Sequence, residues 1–97
     1  MQGNRQRLDR WLWHARVVKT RADAATLAAS GHVRLNGKRV DAPSRAVAPG
    51  DVLTIALTNS IKVLRIVDLA ARRGGADDAR RLYEDLSPAL AREGGLR

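Results

Sequence analysis

Ten positions in the first half of the chain carry residue types that could do chemistry: Arg7, Arg10, Arg16, Lys19, Thr20, Arg21, Arg34, Lys38, Arg39 and Arg45. Guanidinium and ammonium groups donate charge-assisted hydrogen bonds to phosphate oxygens, and a hydroxyl beside exposed backbone N–H groups can join them. These ten are phosphate-contact candidates. Three of them, Arg34, Lys38 and Arg39, fall in "VRLNGKRV", residues 33–40. Asn36-Gly37 signals a two-residue type I′ turn, which needs positive φ at both central positions. That turn pairs Leu35 with Lys38, Arg34 with Arg39 and Val33 with Val40. Directly opposed like charges weaken a strand pair. A phosphate oxygen lying across both arginines converts the repulsion into two charge-assisted hydrogen bonds. Splaying of the side chains into screened solvent is the alternative.

No catalytic constellation accompanies these cations. His14 and His32 are the only histidines, and neither has metal-ligand spacing with another histidine or an acid. Cysteine is absent, which excludes disulfides and thiolate metal sites. The glycines form no phosphate-loop or dinucleotide fingerprint. The expectation is a non-enzyme with no metal and no cofactor.

The elements that must position the cations are legible as patterns. Residues 1–6 are polar and read as a flexible start. Leu8, Trp11, Leu12 and Ala15 fall at i, i+3, i+4 and i+7, the core-facing stripe of a first helix. Arg7, Arg10 and His14 take its other side, with Arg16 at its end. Trp13 sits off the stripe, at the core edge or partly exposed. Thr20 reads as the N-cap of a second helix, and Asp23 as the acidic half of a capping box. Ala24, Leu27 and Ala28 form its buried stripe, and Gly31 suits the left-handed residue after its end. Lys19 and Arg21 flank that N-terminus, although the Asp23 carboxylate competes for its amides.

After the hairpin, "DAPSRAVAPGD" reads as loop and turn. Residues 52–57 and 61–67 read as strands joined at Thr58-Asn59-Ser60, and Arg72-Arg73-Gly74-Gly75 breaks the chain. Residues 76–86 are expected to form a last helix, with Asp77 and Asp78 in its first turn and a stripe of Ala79, Leu82, Tyr83 and Leu86. Pro88 and Gly94-Gly95 suggest an unravelling tail. The fold class is α+β: two N-terminal helices packed with a β-hairpin and a small, mostly antiparallel sheet, plus a C-terminal helix.

Charge separates the halves. Residues 1–50 hold ten Lys/Arg against three Asp, a net +7, whereas residues 51–97 hold eight against seven acids, a net +1. Such asymmetry points to a polyanionic partner, most often nucleic acid. Arginine outnumbers lysine by fifteen to three, so a bias toward arginine explains the choice of cation but not its placement. Only three aromatics occur. Single-strand recognition relies on aromatic stacking platforms, so shape and backbone recognition of folded RNA fits better. No apolar run reaches the length of a membrane span and no signal-peptide pattern opens the chain, so the expectation is a soluble cytoplasmic protein without a membrane partner.

Residues 7–51, "RLDRWLWHARVVKTRADAATLAASGHVRLNGKRVDAPSRAVAPGD", resemble the RNA-binding domain named after ribosomal small-subunit protein four. The likeness lies in the R-L-D opening, the K-T-R helix start, the Gly-x-Val strand entry, N-G-K, Pro-Ser and Gly-Asp. It implies two helices and a hairpin with a basic surface for structured RNA, within a domain over 7–70 followed by a C-terminal helix and tail over 71–97. "RLDRWLWHARVVKTR" and "ARRLYEDL" further resemble the bacterial heat shock protein fifteen family. That resemblance implies a heat-shock or stress protein on the large ribosomal subunit, acting where a stalled nascent chain stays attached to tRNA. The partners it implies are ribosomal RNA, tRNA and the large subunit; weak DNA binding and a monomeric state are further expectations. Two alternatives stay open: a generic RNA-binding module in regulation or ribosome assembly, and a basic adaptor for an acidic protein.

Overall fold

The computed structural model describes residues 4–87. β1 (Gln6–Arg7) leads directly into α1 (Leu8–His14), and α2 (Arg21–Ala29) follows after a turn. β2 (Val33–Leu35) and β3 (Lys38–Val40) form the hairpin. β4 (Ala46–Val47), β5 (Val52–Ala56) and β6 (Ile61–Ile66) come next, then α3 (Ala76–Arg80) and β7 (Tyr83–Asp85). One antiparallel sheet runs β3-β2-β5-β6-β7, and β1 pairs with β4 in a second, two-stranded sheet. This is the α+β arrangement of helices and mostly antiparallel strands expected from the sequence.

Alternation decides which face of the larger sheet meets the helices. Val33, Leu35, Val40, Leu53, Ile55, Leu64 and Ile66 are buried and join Leu8, Trp11, Leu12, Ala15, Ala24 and Ala28 in one core. The first helical stripe is thus buried as its spacing requires. The Trp11 indole N–H donates to the Asp68 carbonyl at 3.0 Å, which satisfies its one polar atom inside the core. Asn36 and Gly37 take φ of 52° and 86°, the left-handed values of a type I′ turn. The register pairs Val33 with Val40, Arg34 with Arg39 and Leu35 with Lys38.

Several expectations need correction. Gln6, placed by the sequence in the polar start, pairs with Val47 and donates through Nε2 to the Ala70 carbonyl at 2.7 Å. His14 is buried, not on the exposed side of α1. The helix expected over 76–86 stops at Arg80, and Tyr83–Asp85 is a strand on β6. Continuing the helix would leave the outer edge of β6 with unpaired backbone groups. The strand instead gains the Arg65–Glu84 cross-strand ion pair at 2.8 Å and an edge-on contact of Tyr83 with Trp11 at 6.4 Å between ring centroids. Asp77 and Asp78 do occupy the first turn of α3. Pro88 and Gly94-Gly95 lie outside the described residues.

Leu82, between α3 and β7, is 7% exposed, and its carbonyl accepts from the Val67 and Asp68 amides. Leu82→Ala is expected to cost about 2–3 kcal/mol through the cavity it leaves. Thermal melts that superimpose on the parent would show that this segment is not packed on the core.

Candidate nucleic-acid interface

Each helix end is built by local chemistry that also fixes a cation. Arg16 follows α1 in the left-handed region, with φ of 59°. The Arg16 amide donates to the Trp13 carbonyl at 3.1 Å and the Val17 amide to the Leu12 carbonyl at 3.0 Å. This pair of bonds is a Schellman ending, with arginine where glycine is usual. The Arg16 guanidinium donates through Nε and Nη2 to the Gly74 carbonyl at 3.2 and 2.9 Å. Arg16 is exposed, and its guanidinium is held in place by the Gly74 carbonyl. Nearby, Arg73 stacks over Trp13 at 5.4 Å and donates to its carbonyl at 3.1 Å, so half-buried Trp13 closes the edge of the core.

Thr20 caps α2, its hydroxyl oxygen accepting from the Asp23 amide at 2.9 Å. Of the capping box expected there, only this half forms among the described hydrogen bonds. The cap occupies one of the amides that a phosphate would have used. Lys19 beside it is exposed.

The starts of the two helices converge on Asp9. This carboxylate is buried and accepts from Arg7 Nε and Nη2 at 3.1 and 3.0 Å and from the Arg10 amide at 2.7 Å. Arg21 lies 3.8 Å from it. Asp9 carries one signal of this role in the sequence, its place in the R-L-D opening. Arg7 and Arg21 are thereby preorganised and partly neutralised, while Arg10 stays exposed. Burial alone would push the Asp9 carboxyl up. The Arg7 hydrogen bonds and charge, the Arg10 amide and the Arg21 charge outweigh it and hold the group below its ordinary range. A lowered folded-state pKa makes this stabilisation fully present above about pH 4 and lost as pH falls through the folded value. Asp9→Asn is expected to cost about 2 kcal/mol at neutral pH and to remove that acid-dependent loss. Denaturant midpoints that match the parent at both neutral and acid pH would show that the carboxylate contributes nothing.

Burial and the charges of Arg10, Arg21 and Arg73 push the His14 imidazole below its usual range, against the opposing Ala70 carbonyl. Its surroundings thus disfavour the imidazolium form.

The hairpin cations divide between two faces. Arg34 and Arg39 are register partners on the face opposite the buried Val33, Leu35 and Val40. The Arg39 guanidinium lies against Gly31, close enough that a Cβ there would sit 2.5 Å from its Nη2. This sets it near the end of α2, where the helix dipole favours a cation and offsets its repulsion with Arg34. Lys38 opposes Leu35 and so stands on the helix side of the hairpin. The loop beyond β3 returns to that same side: the Pro43 and Arg45 carbonyls accept from the Asp9 and Leu8 amides at 3.1 and 2.8 Å. The structure therefore brings Arg7 and Arg21 together at Asp9, with the Arg45 loop beside them, and sets Arg34 and Arg39 apart as a second pair. Among the described residues, no group of three or more His, Cys, Asp and Glu could hold a metal ion. None of the described helices is long and apolar enough to cross a membrane.

The S4 domain family model matches residues 6–53, from β1 into β5. The heat shock protein 15 homolog of Haemophilus influenzae is 37% identical over 84 residues, which cover 87% of this chain and 63% of that relative. The chain thus spans less than two thirds of that protein's length. Small ribosomal subunit protein uS4 of Aquifex aeolicus is 46% identical over 50 residues, covering 52% of this chain and 24% of its own. The trimeric structure of Vibrio cholerae heat shock protein 15 aligns with a TM-score of 0.81 at 33% identity, over 96% of both chains. The S4 match over the helices and hairpin, together with this nearly full-length structural overlap, means that the chain belongs to the heat shock protein 15 family.

Proposed function

We propose that this chain is a non-catalytic RNA-binding protein of the large ribosomal subunit. It would act in the heat-shock response, in the cytoplasm, on subunits that retain a stalled nascent chain–tRNA. The observation that carries this reading is the joint placement of α1, α2 and the hairpin inside the region matched by the S4 domain, residues 6–53, where nine Lys/Arg stand against four Asp, a net +5. Its cations sit on rigid backbone, so they are suited to the fixed spacing of phosphates on folded RNA. Ribosomal RNA is the first partner, the tRNA of the stalled chain the second, and DNA a weak competitor through the same phosphate chemistry. Arg10, Lys19, Arg34, Lys38, Arg39 and Arg45 are the projecting contacts, with Arg7 and Arg21 shaping the field beside Asp9. The monomer is the proposed binding unit; light scattering that returned a trimer mass, as in the Vibrio cholerae structure, would correct this.

The similarity to uS4 supports a second reading, an RNA-binding module in ribosome assembly. Gradient cofractionation after heat shock separates the two. Enrichment on free large subunits carrying peptidyl-tRNA is the expected result. Sedimentation with small-subunit precursors, or apart from ribosomal particles, would overturn the rescue role.

A further inference from the structure

The pairing of β1 with β4 has a consequence for two arginines at its margin. Arg5 directly precedes β1, and Arg45 directly precedes β4. Both line a cleft of about 370 Å³ whose other walls include Leu35 and Asn36 at the hairpin tip. Neither has an ion-pair partner among the described residues. The one acid lining the cleft, Asp51, is already engaged: its Oδ1 accepts from Asn36 Nδ2 at 3.1 Å and its Oδ2 from the Ala48 amide at 2.9 Å. Lys38 stands on the same face of the hairpin as Leu35, which adds positive charge on the cleft side.

The supports of the two cations are rigid. The Arg45 amide donates to the Ala42 carbonyl at 3.0 Å and its carbonyl accepts from the Leu8 amide at 2.8 Å. Gln6, next to Arg5, is tied to Val47 and to the Ala70 carbonyl. The hairpin tip is fixed because Asn36 Oδ1 accepts from the Val52 amide at 2.9 Å. Two like charges thus line one concavity, and its one carboxylate, Asp51, is hydrogen-bonded to Asn36 and Ala48 and ion-paired with neither arginine. Their repulsion is relieved by an anion that offers at least two acceptor oxygens.

We propose that this cleft is a phosphodiester seat in which Arg5 and Arg45 grip one backbone phosphate of a folded RNA, an assignment that rests on the RNA-binding reading above. A phosphodiester carries two non-bridging oxygens, one for each guanidinium, and a single negative charge. It also places the hairpin's helix-side face, not the face bearing Arg34 and Arg39, against that strand.

The test is binding of a labelled RNA hairpin to the full chain at several salt concentrations. Arg5→Gln, Arg45→Gln, their double variant and Arg81→Gln are compared with the parent; Arg81 is an exposed arginine at the end of α3. Each cleft variant is expected to bind about tenfold more weakly, and Arg81→Gln within about twofold of the parent. Because one phosphate serves both arginines, the double variant loses much less than the product of the single losses. Its salt slope is shallower by about one, not two. Fully additive losses with a slope shallower by about two would overturn the shared grip. If the parent binds RNA and all four variants bind equally, the seat is wrong and the RNA-binding reading stands. If the parent ignores RNA but binds poly-glutamate through the same two arginines, both assignments fall. Both side chains are exposed and without described partners, so melts matching the parent are expected and separate binding from folding.

Discussion

Trp11→Ala is expected to cost about 3–5 kcal/mol, a large share of the total stability of a domain this size. The indole is 0% exposed at the junction of α1 with the sheet and with Tyr83 of β7. Its removal leaves a void that neighbours held by helix and sheet backbone cannot fill. The same change strands the Asp68 carbonyl, which accepts the indole N–H at 3.0 Å. Trp11→Phe separates the two losses, since it keeps most of the apolar volume and removes only the donor. The phenylalanine variant should lose about 1 kcal/mol for the hydrogen bond plus a smaller packing loss. Urea unfolding followed by far-UV circular dichroism reads both. A Trp11→Ala midpoint within error of the parent would mean that the helices are not fastened to the sheet through this residue. Loss of β7 pairing alone, with α1 intact, would place the fastening at Tyr83 instead.

The hairpin was legible because its signal is local. Asn36-Gly37 specifies the turn, the turn specifies the register, and the register places Arg34 opposite Arg39 without reference to the rest of the chain. The α1 stripe was legible for the same reason: the period of its apolar residues names the buried face. β7 was not legible. "ADDARRLYEDL" has helical spacing throughout, and only the open edge of β6 decides against continuing the helix past Arg80. That edge is a tertiary fact. The strands β1 and β4, two residues each, are too short to carry any periodicity.

The basic surface was legible in composition but not in arrangement. Spacing on an ideal helix put His14 on the exposed side and Arg16 among the first helix's cations. In the structure His14 is buried and Arg16 occupies the left-handed residue of a helix ending, bound to Gly74. Arg16 falls past the end of α1, which is seven residues long. His14 lies within it and meets the 70–82 segment, whose return to this helix no local spacing announces. Asp9 shows the converse. One buried carboxylate turns Arg7 and Arg21 from free charges into supported ones, so a count of arginines overstates the number that can meet phosphate at full strength.

That count sets the remaining large effect, the dependence of RNA affinity on salt. Of the ten candidates, Arg7 and Arg21 share Asp9, Arg16 is bound to Gly74, and Thr20 carries no charge and is spent on its cap. Arg10, Lys19, Arg34, Lys38, Arg39 and Arg45 project, yet Arg34 and Arg39 stand on the opposite hairpin face from Lys38. One RNA helix therefore reaches only part of the set at once. With about four or five phosphates neutralised, log K should fall with log salt at a slope of roughly −3 to −5. Between 50 and 200 mM salt that is a loss of about 60- to 1,000-fold in affinity, larger than any single substitution predicted for binding. The double variant Arg34→Gln/Arg39→Gln locates the contact surface within this total. If a phosphate bridges the pair, the slope becomes shallower by about one. Stability should change little, because relief of their repulsion offsets loss of the Arg39 charge near the end of α2. If the strand runs on the helix side, the double variant keeps the parent slope while changes at Lys38 and Arg45 reduce it. A parent slope near zero would show that binding is not made through phosphates, whichever face is used.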